Sequence, residues 1–97
     1  MIKVKHTNDE KRGSFEAFMN GTHAGLMTYT WAGEDRFIID HTEVDEVYNG
    51  KGVGKEMLYA AVDFARKNGK SIIPLCPFAK ATFQKEEDIQ DVLVNKV

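Results

Sequence analysis

Three glycines, Gly50, Gly52 and Gly54, alternate with Lys51 and Val53 and are followed by Lys55. A loop of this kind at the start of a helix leaves backbone N–H groups pointing outward without partners. That makes an anion site, most naturally for phosphate. Three reactive side chains flank it. His41 and Glu43 stand two residues apart upstream, so a strand would present both on one face. An imidazole titrates near neutrality and can shuttle a proton. A carboxylate can act as a base, directly or through water. Cys76, the only cysteine, lies downstream. Its thiol could release a proton or act as a nucleophile. Each has a plainer reading: Glu43 as a solvated strand carboxylate, His41 as a satisfied sheet histidine, Cys76 as a small buried hydrophobe ahead of a helix-starting proline.

The elements that must position these residues follow from periodicity. Ile2 to His6 alternates apolar and polar, the period of a strand with one wet face. Thr7 to Gly13 is polar and ends in glycine, which predicts a loop. Ser14 to Met19 and His23 to Trp31 read as strands joined at Asn20-Gly21, a hairpin signal because both residues tolerate positive φ. Ala32 to Asp35 makes the next turn. Arg36 to Val44 is the fourth strand of an antiparallel meander. Beyond the glycine loop the period changes. Val53, Met57, Leu58, Ala61, Val62, Phe64 and Ala65 predict an amphipathic helix of about four turns, packed on the sheet. Asn68-Gly69 stops it. Ser71 to Leu75 is a short fifth strand, parallel to the fourth through the helical crossover. Pro74 suggests a sheet edge. Pro77 opens another helix carrying Phe78 and Phe83, and a last short helix is expected over Ile89 to Leu93. The fold class is α+β, an α/β sandwich.

Spacing excludes two familiar phosphate loops. The P-loop needs a glycine where Asn49 stands and Ser or Thr where Glu56 stands. The dinucleotide fingerprint needs a third glycine where Lys55 or Met57 stands. Asn49-Gly50-Lys51-Gly52-Val53-Gly54 instead resembles the acyl-CoA loop of the GCN5-related N-acetyltransferases, with Asn49 in the place of that family's Gln or Arg. His41-Thr42-Glu43-Val44, the glycine loop and Pro74-Leu75-Cys76-Pro77-Phe78, in that order, resemble the very small stand-alone NATD1-like members of the family. This resemblance covers nearly the whole chain.

It implies a minimal form of that fold, with acetyl-CoA as co-substrate and an amine as acceptor. Fourth and fifth strands would splay, and the pantetheine arm would pair with the fourth, which makes Val44 a backbone contact. Asn49, Gly50, Lys51, Gly52, Val53, Gly54 and Lys55 would hold the pyrophosphate, and Phe78 would join the cofactor site. Glu43, His41 and Cys76 would be the catalytic residues, their separate roles left open. Larger relatives often carry a tyrosine acid on the helix after the fifth strand. Phe78 and Phe83 stand there instead, leaving Cys76 as the nearest proton donor. Larger relatives also place a helical segment between the first two strands. Thr7 to Gly13 is too short for one, so the acceptor groove should be open to a small molecule or to a peptide or protein amine. Asp40, Asp45 and Glu46 would favour a cationic acceptor, or are simply solvated.

The totals fit this reading. A chain of 97 residues, 42% apolar, predicts one soluble domain. Its net charge of −2 argues against a nucleic-acid partner. No apolar run is long enough to span a membrane. The N-terminus lacks an apolar signal core, and a single cysteine fits a reducing cytoplasm and builds no thiolate metal site. A monomer is expected. Two other readings remain: a non-catalytic CoA- or acyl-CoA-binding regulatory module, and a small interaction domain whose glycine loop is only structural.

Overall fold

The computed structural model describes residues 1–94. Five strands form one sheet in sequence order: β1 (Ile2–Asn8), β2 (Arg12–Met19), β3 (Thr22–Trp31), β4 (Arg36–Val44) and β5 (Ser71–Pro74). The first four are antiparallel and β5 runs parallel to β4. Helix α1 (Val53–Asn68) makes the crossover and α2 (Pro77–Lys85) follows β5. The architecture is therefore the expected α+β arrangement.

The loop expected over Thr7 to Gly13 is shorter. Thr7 and Asn8 extend β1 and pair with Ser14 and Gly13. Their polarity marks a solvated strand end. The turn shrinks to Asp9–Lys11, held where Asp9 Oδ1 accepts from the amides of Lys11 (2.8 Å) and Arg12 (3.0 Å). Asn20 and Gly21 do take positive φ, 50° and 87°. The last segment is a 3-10 turn over Glu87–Val92 and begins before the expected Ile89. Arg66 of α1 grips Asp91 through two nitrogens and donates to the carbonyl of Asp88, which pins this turn to the helix.

The core lies between one sheet face and α1. Phe15, Met27, Tyr29, Phe37 and Ile39 face Met57, Leu58, Ala61 and Val62, all essentially excluded from solvent. Gly25 lets the layers close up: a Cβ there would lie 2.9 Å from the Glu43 carbonyl and 3.1 Å from Val53. At the far end of the sheet His6 stacks on Phe15 (4.1 Å between ring centres), and the Tyr29 hydroxyl lies 2.6 Å from His6 Nε2. Burial lowers the pKa of His6 and pushes that of Tyr29 up to about 12. Among the described residues no helix is long and apolar enough to cross a membrane.

Candidate functional site

The glycine loop is built by backbone geometry. A 3-10 turn, Glu46–Tyr48, ends β4, and Gly50 and Gly52 then adopt φ of 77° and 82°. That left-handed conformation suits glycine, which has no Cβ to clash with the following carbonyl. The first hydrogen bond of α1 runs from Glu56 N to Gly52 O at 3.0 Å. The amides of Val53, Gly54 and Lys55 therefore precede the ladder, and no side chain caps the helix at Gly52. A Cβ on Gly50 or Gly52 would meet nothing within 4 Å, so the approach to these amides is open. The donor set fits a phosphate group: free N–H groups, the positive end of a helix dipole and adjacent lysines.

The side chains around the loop have distinct surroundings. Val53 turns into the core and is 1% exposed. Gly54 lies under the Phe78 ring, where a Cβ would sit 2.8 Å from Cζ. Phe78 itself stays partly exposed beside the loop. Asn49 and Lys51 are exposed. Lys55 Nζ is 3.6 Å from Glu86 Oε1, which also accepts from the Tyr59 hydroxyl at 2.8 Å. The Glu86 charge raises the pKa of Lys55, and the Tyr59 hydrogen bond lowers that of Glu86. Lys55 is thus held by Glu86, and Lys51 has no ion-pair partner among the described residues.

A gap opens where β4 and β5 part. β5 pairs only with Arg36 to Ile39 of β4. The amides of Leu75 and Cys76 then both donate to the Ile39 carbonyl, each at 3.1 Å, and the chain turns away into α2. From Asp40 to Val44, β4 has β3 on one side and, among the described residues, no strand on the other. Val44, half-buried, pairs with Gly25 at the end of this open edge. Cys76 stands at the mouth of the gap as the N-cap of α2. The residue is 3% exposed, and its sulfur accepts from the Ala79 amide at 3.3 Å and lies 3.1 Å from Thr42 Oγ1.

His41 and Glu43 do share a face, but not the face of Cys76. They pair with Thr28 and Leu26 on the side of the sheet away from the helices, and both are exposed. Thr42, between them, points to the helix side and meets the thiol. The three reactive side chains therefore do not converge: His41 and Glu43 lie on one side of β4 and Cys76 on the other. Two residues gain importance. Thr42 is Cys76's partner, and strict alternation along His41-Thr42-Glu43 already puts it opposite the pair. Asp40 joins the His41 face because a bulge places one extra residue in β4 between the partners of Tyr29 and Thr28. Its carboxylate accepts from Thr30 Oγ1 at 2.7 Å. Alternation alone would have sent Asp40 to the other face from His41.

The chain resembles known proteins. A family model described as GCN5-related N-acetyl-transferase matches residues 14–92. Protein NATD1 of Xenopus tropicalis is 36% identical over 64 residues, covering 65% of this chain and 57% of that protein. The chain thus aligns with little more than half the length of that relative. The solution structure of a GCN5-like protein from Staphylococcus aureus is 34% identical, covers 94% of this chain and 88% of that one, and superposes with a TM-score of 0.69. AAC(6')-Iy, solved with the bisubstrate analogue CoA-S-monomethyl-acetylneamine, covers 100% of this chain and 93% of that one at a TM-score of 0.65; at 9% identity it shares the fold alone. With the glycine loop, the parted strands and a family match over most of its length, the chain belongs to the GCN5-related N-acetyltransferase family.

Proposed function

We propose that the protein transfers an acetyl group from acetyl-CoA to an amine. The observation that carries this is the pairing of two features on one path: the free amides of Val53, Gly54 and Lys55, and the unpaired edge of β4 from Asp40 to Val44. Bound acetyl-CoA would supply an activated thioester. The three amides hold its pyrophosphate, with Gly50 and Gly52 shaping the approach and Lys51 and Lys55 balancing the charge. Asn49, exposed at the start of the loop, offers its amide side chain, and Phe78 packs beside Gly54. The open β4 edge at Val44 offers backbone groups to an extended arm.

Proton transfer falls to the two faces of β4. Glu43, exposed on the outer face, takes a proton from the acceptor nitrogen, directly or through water, and His41 beside it can relay that proton. Cys76, hydrogen-bonded to Thr42 on the inner face, holds the proton nearest the gap and can release it at Sγ. Acceptor and cofactor then approach from opposite sides of the strand, which positions the reactants across it.

The test is calorimetry with acetyl-CoA followed by measurement of free thiol over a panel of amines and lysine peptides. Binding and thiol release are expected. Glu43→Gln and Cys76→Ser should keep the acetyl-CoA affinity and lower kcat. Normal turnover by both variants would remove Glu43 and Cys76 from the mechanism. Binding with no thiol release on any amine would leave a CoA-binding module instead of an enzyme.

A further inference from the structure

Every helix packs on one face of the sheet. On the other face, among the described residues, no strand side chain is fully buried. The register aligns hydroxyls across that face. Thr7, Ser14, Thr28 and His41 are successive partners from β1 to β4. One step along, Thr30 holds Asp40, which the bulge has swung onto this side. Together they line an open groove of about 850 Å³. Among the described residues the hydroxyls of Thr7, Ser14 and Thr28 have no hydrogen-bond partner. Leu26 is the one aliphatic side chain in the lining.

We infer that this groove is the acceptor site and that the acceptor is a small, hydroxyl-rich primary amine of the amino-sugar type. This rests on the acetyl-transfer reading. The row ends at His41, on the strand that also carries Glu43, so the reacting nitrogen belongs at that end. The Asp40 carboxylate, fixed by Thr30, draws an ammonium group there. The remaining row places one hydroxyl per strand, about 4.8 Å apart, a spacing that serves a ring bearing several hydroxyls. A hydrocarbon chain would leave these groups without partners. An extended peptide would need a strand edge or alternating pockets, and the groove crosses the strands. The chemistry balances simply: the ammonium gives one proton to Glu43, the N–C bond forms as the thioester C–S bond breaks, a second nitrogen proton is lost, and the departing sulfur takes one. One proton is released per turnover.

The experiment compares D-glucosamine, cadaverine and the peptide Ala-Lys-Ala as acceptors for the full chain at saturating acetyl-CoA, reading free thiol. D-glucosamine should give the highest kcat/KM. Thr28→Val, which keeps the branched shape and removes the hydroxyl, should raise the KM for glucosamine about 2- to 12-fold, the worth of one hydrogen bond. It should not raise the cadaverine KM, since cadaverine carries no hydroxyl, and the acetyl-CoA affinity should hold. Ser14→Ala is the second variant should Thr28→Val fail to fold. Asp40→Asn should raise KM for both amines. Cadaverine or the peptide matching glucosamine, or an unchanged glucosamine KM in the hydroxyl variants, overturns the inference while acetyl transfer stands. Thiol release with another amine of the panel but with none of the three overturns the inference alone, and acetyl-CoA binding with no thiol release from any amine overturns both.

Discussion

Replacing Gly52 with aspartate should abolish acetyl-CoA binding without unfolding the protein. Gly52 is the residue before α1, with φ 82° and ψ 12°, and a Cβ there would touch nothing within 4 Å. Its cost is therefore conformational. A left-handed L-residue costs about 1–2 kcal/mol, less for aspartate, whose side chain bonds locally. Negative charge at a helix N-terminus returns about 0.3–1 kcal/mol, so the folded state survives. Binding fares differently. The new carboxylate stands at the amides of Val53, Gly54 and Lys55, competes for them and repels an arriving phosphate. A hydrogen bond to a charged group is worth about 1.5–3 kcal/mol. Losing two weakens binding by about 3–6 kcal/mol, or roughly 10²- to 10⁴-fold in Kd. Calorimetry with acetyl-CoA reads this directly. Gly52→Ala is the control: it carries the full backbone strain without the charge, lowers Tm by about 4–16 °C at 4–8 °C per kcal/mol, and should still bind. A folded Gly52→Asp protein with wild-type affinity would refute the placement of the anion at this loop.

Gly25→Ala should destabilise by about 1–3 kcal/mol, the usual cost of overpacking, because its Cβ would press the Glu43 carbonyl, Met57 and Val53 at 2.9–3.1 Å; a thermal melt unchanged from wild type would contradict the packing. Stability should vary with pH in two windows. His6, with its pKa lowered by burial, stays neutral in the folded state while the unfolded chain protonates near 6.5, so Tm falls as pH drops below that value. Tyr29, raised from 10.0 to about 12, keeps its proton in the folded state where the unfolded chain loses it, so stability also falls as pH rises through that range. His6→Gln should flatten the acid side, and an unaltered acid slope would assign the effect to other groups. Thr42→Val should lower kcat with acetyl-CoA affinity retained, since it breaks the 3.1 Å contact to Cys76 Sγ; equal kcat in variant and wild type would make that contact purely structural.

The sequence by itself determined the elements whose signals are local. The apolar run Phe37-Ile38-Ile39 marked β4 between Arg36 and Val44, Asn20-Gly21 marked a hairpin, helical spacing marked α1, and Gly69 marked its end with φ 64°. The glycine loop was legible for the same reason, since positive φ at Gly50 and Gly52 is a property of single residues. Three things belong to the tertiary structure. The first is the bulge, which exists only in the pairing of β4 with β3 and brings Asp40 beside His41. The second is the separation of Cys76 from His41 and Glu43. Both strands were foreseen to part, but the helix that begins at Pro77 draws the thiol to the inner face, against Thr42. The third is the row from Thr7 to His41, whose members lie far apart in the chain and meet only through cross-strand register. Local conformation follows from each residue's own sterics and from the period of its neighbours. Which side chains share a face across four strands depends on register, and one inserted residue resets it.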